Sequence, residues 1–203
     1  MMSLWQAHLS FILLGFVLLS SLRGTVPWRP WLLPLLALAS FIPLGQLPLA
    51  AYVRSYTDDL ALSTLVLLAW VSLLRLGLVP ALSHRHRVQL LLLFIGLTLS
   101  LYPATLGLTY FDPYRWGYNP RPMIALLGCA ALWLLWQRNL LAVVMLAAGT
   151  LAFALRLKAS QNYWDYLIDP LLAGYCLIAG SGGLLLWLWR RFAHRRRGQP
   201  LAG

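Results

Sequence analysis

Every acidic side chain in this 203-residue chain is an aspartate. All five, Asp58, Asp59, Asp112, Asp165 and Asp169, fall in three short polar breaks between long apolar runs. Converging carboxylates can act as a general base or hold a divalent cation beside a substrate phosphate. Each break also carries a Tyr-x-Asp triplet: Tyr56-Thr57-Asp58, Tyr110-Phe111-Asp112 and Tyr163-Trp164-Asp165. The tyrosines are 54 residues apart (56 to 110) and then 53 (110 to 163). That interval is close to one hairpin of two helices of about 20 residues each. Pro48 and Pro103 precede the first two triplets at similar offsets, and the third copy lacks such a proline.

The break from Tyr110 to Pro122 is the densest. It holds Asp112, Arg115, Arg121 and the rings of Tyr110, Phe111, Tyr114, Trp116 and Tyr118. Guanidinium forks suit bidentate binding of phosphate or carboxylate, and aromatic rings can line a slot for an amphipathic group. The structural alternative is a belt of interfacial rings, with Asp112 paired to Arg115. In the first break, Arg54 precedes Asp58 and Asp59. Thr57 or Asp58 is placed to cap the helix that follows, and acids there complement its dipole. In the third break, Trp164 adds a ring, and Asp165 and Asp169 share a face if the stretch is helical. Arg156 and Lys158 are the nearest cations to neutralise them. The candidate catalytic set is therefore Asp58, Asp59, Asp112, Asp165 and Asp169. The candidate substrate-binding set is Arg54, Tyr110, Tyr114, Arg115, Trp116, Tyr118, Arg121 and Trp164.

No GxSxG, HExxH or SxxK pattern is present. Gly180-Ser-Gly-Gly183 lacks the lysine of a phosphate-binding loop and reads as a helix-packing patch. Cys129 and Cys176 lie in apolar runs and read as buried thiols. Arg75, deep in its apolar run, reads as a side chain that snorkels to the membrane edge. No cofactor is called for, and a divalent cation enters only under an enzyme reading.

The elements that must position these residues follow from composition. Charged residues make up 10% of the chain and hydrophobic ones 61%, with a mean hydropathy of +0.73. A soluble domain carries about 25% charged residues. The net charge is +11, without glutamate. Basic charge in this apolar context argues for topology and anionic headgroups, and against nucleic acid. Apolar runs at 4–22, 31–53, 60–82, 88–109, 123–136, 139–156 and 170–190 then predict about seven transmembrane helices. A tight turn at Gln137-Arg138-Asn139 separates the fifth from the sixth. Arg23, Arg29, Arg85, Arg87, Arg138 and the tail arginines mark one side as cytoplasmic. The N-terminus is then outside and the C-terminus inside.

The sequence therefore predicts an all-α integral membrane protein. Residues 1–190 form a polytopic domain and 191–203 a basic cytoplasmic tail, in the bacterial inner membrane. Its expected partners are the bilayer, anionic lipid headgroups, and a membrane or periplasmic protein. The leading functional expectation is a non-catalytic subunit or accessory factor with an outward Asp/Arg/aromatic surface. The alternatives are an enzyme acting on a lipid- or polyprenyl-phosphate-linked substrate, and a carrier or flippase for an amphiphilic or anionic substrate.

Overall fold

Turn chemistry cuts the apolar runs into shorter helices than hydropathy alone suggests. The computed structural model describes residues 4–22 and 26–197, with Val26 and 192–197 by backbone alone. The helices among them are α1 (Trp5–Leu19), α2 (Arg29–Ser40), α3 (Leu49–Thr57), α4 (Leu62–Arg75), α5 (His84–Thr105), α6 (Arg121–Trp136), α7 (Leu140–Ala154), α8 (Trp164–Leu167) and α9 (Pro170–Arg197). Short 3-10 turns cover Val26–Trp28 and Pro113–Gly117.

The run 31–53 is not one helix. After α2 the chain makes a two-stranded hairpin, β1 (Pro43–Leu44) against β2 (Leu47–Pro48). Gly45 turns it with a φ of +63°. Proline has no amide to donate and fixes its φ, so Pro43 and Pro48 break helix geometry inside an unbroken apolar stretch. The next break comes at Asp58, whose φ is +55°, and α3 and α4 are bent by 119° across it.

Four helices stop in the same way. The amide two residues past the C-cap reaches back to the third-last helical carbonyl: Leu78 to Leu73, Leu108 to Pro103, Asn139 to Leu134 and Leu157 to Ala152. This motif needs a left-handed residue, which is Gly77, Gly107, Arg138 and Arg156 in turn. Glycine adopts it without strain, whereas arginine does so at a cost of about 1–2 kcal/mol.

The seven-span expectation does not hold. Among the described residues, two helices are long and apolar enough to cross a membrane, 84–105 and 170–191. The bent pair α3–α4 would make a third if it counted as one span. The apolar helices α1, α6 and α7 have 15, 16 and 15 residues. At 1.5 Å per residue such helices reach about 22–24 Å, against a bilayer core of about 30 Å. The orientation counted from arginines, the multi-pass inner-membrane location and the bilayer and headgroup partners rested on seven spans, and they fall with it. So do the accessory-subunit reading and the outer-face enzyme and carrier alternatives. The chain is an all-α fold with an internally packed core. The expected tail begins as a continuation of α9; residues 198–203, like Arg23, lie outside the described residues.

That core has two parts. The larger gathers Phe94, Leu101, Leu127, Met145, Leu146, Leu167 and Leu172 from α5 to α9. The smaller joins Leu13 of α1 to Leu60, Leu65 and Leu68 around α4. Each fully buried Leu, Met or Phe contributes roughly 1.5–3 kcal/mol. Polar groups tie helix ends to one another. Buried Asn139 accepts from the Ala142 amide at 3.4 Å and donates to His86 O at 2.9 Å and Gln89 Oε1 at 3.1 Å, locking the α6–α7 turn to the start of α5. Arg75 does not snorkel. Its guanidinium donates to Val17 O, to Ser20 Oγ at 2.6 Å and to Ser21 Oγ at 3.1 Å, capping the C-terminus of α1. A cation there also complements the helix dipole.

Candidate functional site

Hydrogen bonds join all three polar breaks. Asp169 is the N-cap of α9 and accepts from the Leu172 amide at 2.8 Å. Its other oxygen accepts from the Ala61 amide, also at 2.8 Å, at the start of α4. One buried carboxylate therefore satisfies two helix N-termini. Lys158 donates from Nζ to Asp59 O at 2.6 Å and to Asp165 O at 2.7 Å. Asp165 accepts from the Tyr114 hydroxyl at 3.1 Å and from Ser160 Oγ at 2.5 Å.

The 3-10 turn Pro113–Gly117 is built against residues 162–164. Asp112 caps it, accepting from the Tyr114 amide at 3.0 Å. Trp164 Nε1 donates to Pro113 O at 2.9 Å, Asn162 Nδ2 to Tyr114 O at 2.9 Å, and the Tyr163 amide to Gly117 O at 3.0 Å. A Cβ on Gly117 would lie 1.7 Å from Asn162 Oδ1, so only glycine allows this approach. Tyr163 is anchored in turn by a 2.6 Å hydrogen bond with Thr150 of α7.

Burial shapes the electrostatics. It lowers the Lys158 ammonium pKa, against the opposing pull of Asp165, Asp59, Asp169 and Asp58. Burial raises the Tyr114 phenol, and the neighbouring Asp165 carboxylate pushes it further in the same direction. Tyr166 and Tyr163 are raised mainly by burial as well. These hydroxyls hold their protons and serve as donors, which suits structural hydrogen bonding.

The candidate carboxylates are held by separate partners. Asp59 pairs with Arg54 at 2.6 Å. Asp58 is exposed at the end of α3 and does not cap α4, whose N-cap is Ala61. Asp112 is exposed and does not pair with Arg115. Asp165 and Asp169 do not share a helix face, because Ile168 between them is extended. Arg115 and Arg121 are both exposed, at the 3-10 turn and at the start of α6. Among the described residues no three His, Cys, Asp or Glu side chains come together as a metal cage.

The Tyr-x-Asp triplets are not equivalent. Tyr56 is 92% exposed and Tyr110 fully so, while Tyr163 is 0% exposed. The expected packing patch on α9 holds only at Gly180, which meets Ile95 of α5; Gly182 and Gly183 face open space. Cys176 is buried, but Cys129 is exposed.

The rings of the second break wall an open cavity of about 540 Å³. Leu97, Ser100 and Pro103 of α5 form one side, and Met123, Leu126 and Leu127 of α6 the other. Phe111, Trp116 and Trp164 close it, with Trp116 edge-on to Phe111 at 5.3 Å. Of the candidate binding residues, Trp116 and Trp164 line this cavity. Tyr114 holds Asp165, Tyr118 packs edge-on to Tyr114 at 5.8 Å, and Arg54 holds Asp59. No local sequence pattern marks Ser160, or Leu97 and Ser100 of the cavity wall on α5. By sequence Lys158, the single lysine of the chain, reads only as a neutralising charge.

Comparison with protein-family models, curated proteins and solved structures gives no match to this chain.

Proposed function

We propose that this chain is a binding protein for an apolar small molecule, held between α5, the 109–116 loop and α6. The observation that carries the reading is the 540 Å³ cavity with its aliphatic and aromatic lining. Small-molecule sites are typically concave and mainly apolar, about 300–1,000 Å³, with a few polar groups for orientation. Here Ser100 and Thr109 supply those groups, and each hydroxyl already has a backbone acceptor, at 2.8 Å in Gly96 and 3.1 Å in Phe111. Pro103, Pro113 and Pro122 stiffen the rim. Trp164 is pinned through its indole N–H, so one wall is set before any ligand arrives. Four of the five carboxylates, those of Asp59, Asp112, Asp165 and Asp169, are engaged in an ion pair, caps or tethers, which favours binding over turnover.

Leu126 is exposed at the rim, so Leu126→Trp fills the cavity with little disturbance of the core. An environment-sensitive apolar fluorophore, such as N-phenyl-1-naphthylamine, should bind the wild-type chain at one site. Its affinity should fall about tenfold or more in the filled variant. Equal binding to both proteins would show that the cavity is not the site.

A further inference from the structure

A second cavity, of about 470 Å³, lies beyond the C-terminus of α7. Its lining includes Arg156, Lys158, Ser160, Gln161 and Tyr166, with Phe153 as an apolar wall. It carries two cations and, among the described lining residues, no acid. We infer that this cavity binds a small soluble oxyanion, a phosphate or carboxylate group on a molecule compact enough to enter it.

Three features carry the assignment. The α7 C-terminus fixes the backbone of Arg156: its amide bonds Phe153 O at 3.1 Å and the next amide bonds Ala152 O at 3.0 Å. This places an exposed guanidinium fork at the cavity, suited to a bidentate oxyanion. Lys158 is held from behind. Two of its three ammonium donors go to Asp59 O and Asp165 O, which leaves the third for a ligand. Of the carboxylates whose charge reaches Lys158, those of Asp165, Asp59 and Asp169 are turned to other partners: Asp165 to Tyr114 and Ser160, Asp59 to Arg54, and Asp169 to the amides of Ala61 and Leu172. Gln161 is exposed and adds amide donors. Burial of Lys158 strengthens its attraction for an anion, because solvent screens it less.

The site is independent of the apolar cavity, and its test uses different ligands and residues. Purified full chain is titrated calorimetrically with inorganic phosphate and with citrate, against sodium chloride at matched ionic strength. Wild type should bind one or both beyond the chloride control. Arg156→Gln should weaken binding about tenfold, the loss expected for a charge-assisted hydrogen-bond pair. Arg156→Lys should recover part of it. If Arg156→Gln lowers the thermal midpoint, Gln161→Ala carries the same test on a second exposed side chain. No heat beyond chloride in the wild type overturns the assignment, and so does undiminished binding in the folded variants. Fluorophore binding at the apolar cavity should be unchanged by Arg156→Gln, which separates the two sites.

Discussion

Asp169 shows how a residue suited to chemistry is used for architecture. Its two oxygens each take a backbone amide at 2.8 Å, one at the start of α9 and one at the start of α4. Removing them leaves two buried N–H groups without partners. Asp169→Ala should therefore lower stability by about 2–4 kcal/mol, combining a lost cap and a lost charge-assisted bond. Asp169→Asn should cost less, since asparagine caps as well as aspartate but presents its N–H₂ to one of the two amides. Chemical denaturation of the three proteins checks the order, and an alanine variant as stable as wild type would refute it. The helix start at Pro170 was legible, because the apolar run begins there and proline favours the first helical position; the cap by Asp169 was not read. The tie to Ala61 was not. It spans 108 residues, and no local pattern encodes which distant amide a carboxylate will meet. The same holds for Asp165, whose partner Tyr114 lies 51 residues away.

Helix ends decide what an apolar run becomes. The turn at 137–139 was readable, because Gln137-Arg138-Asn139 interrupts the apolar pattern and asparagine is a good N-cap. The hairpin at 43–48 was not placed, and it lies inside a stretch that hydropathy treats as continuous; the break near Asp58 was legible, but not the helical course of α3 through Thr57 or the cap at Ala61. Hydropathy records composition along the chain, whereas proline geometry and a left-handed residue set where the helix stops. Arg138 and Arg156 occupy positions where Gly77 and Gly107 serve elsewhere. Arg138→Gly should stabilise the fold by about 0.5–1 kcal/mol, the relief of left-handed strain less the loss of a cation from the α6 C-terminus. A higher denaturation midpoint at unchanged slope is the expected readout. A lower midpoint would mean that the arginine side chain outweighs the strain of its backbone.

At the scale of the whole molecule, order is uneven. Tyr163, Tyr166, Leu167 and Leu172 are fully buried, at the join of α7, α8 and α9. By contrast, α2 buries only Leu36 and Ser40, and the β1–β2 hairpin buries no residue. Amides of α7 and the first turns of α9 should then exchange slowest with solvent deuterium, and those of α2 and the hairpin fastest. Uniform protection would contradict this division of the core. Overall composition pointed to the all-helical class but overstated the number of spans, because apolar helices of 15 or 16 residues were counted as crossings. The long-range tie through Asp169 also has a consequence for synthesis. The amide at the start of α4 acquires its partner only after more than a hundred further residues have left the ribosome, and closing so large a loop is entropically costly. The N-terminal half therefore waits, with that helix end unsatisfied, for the last helix to arrive. The joined breaks are among the final parts of the molecule to form.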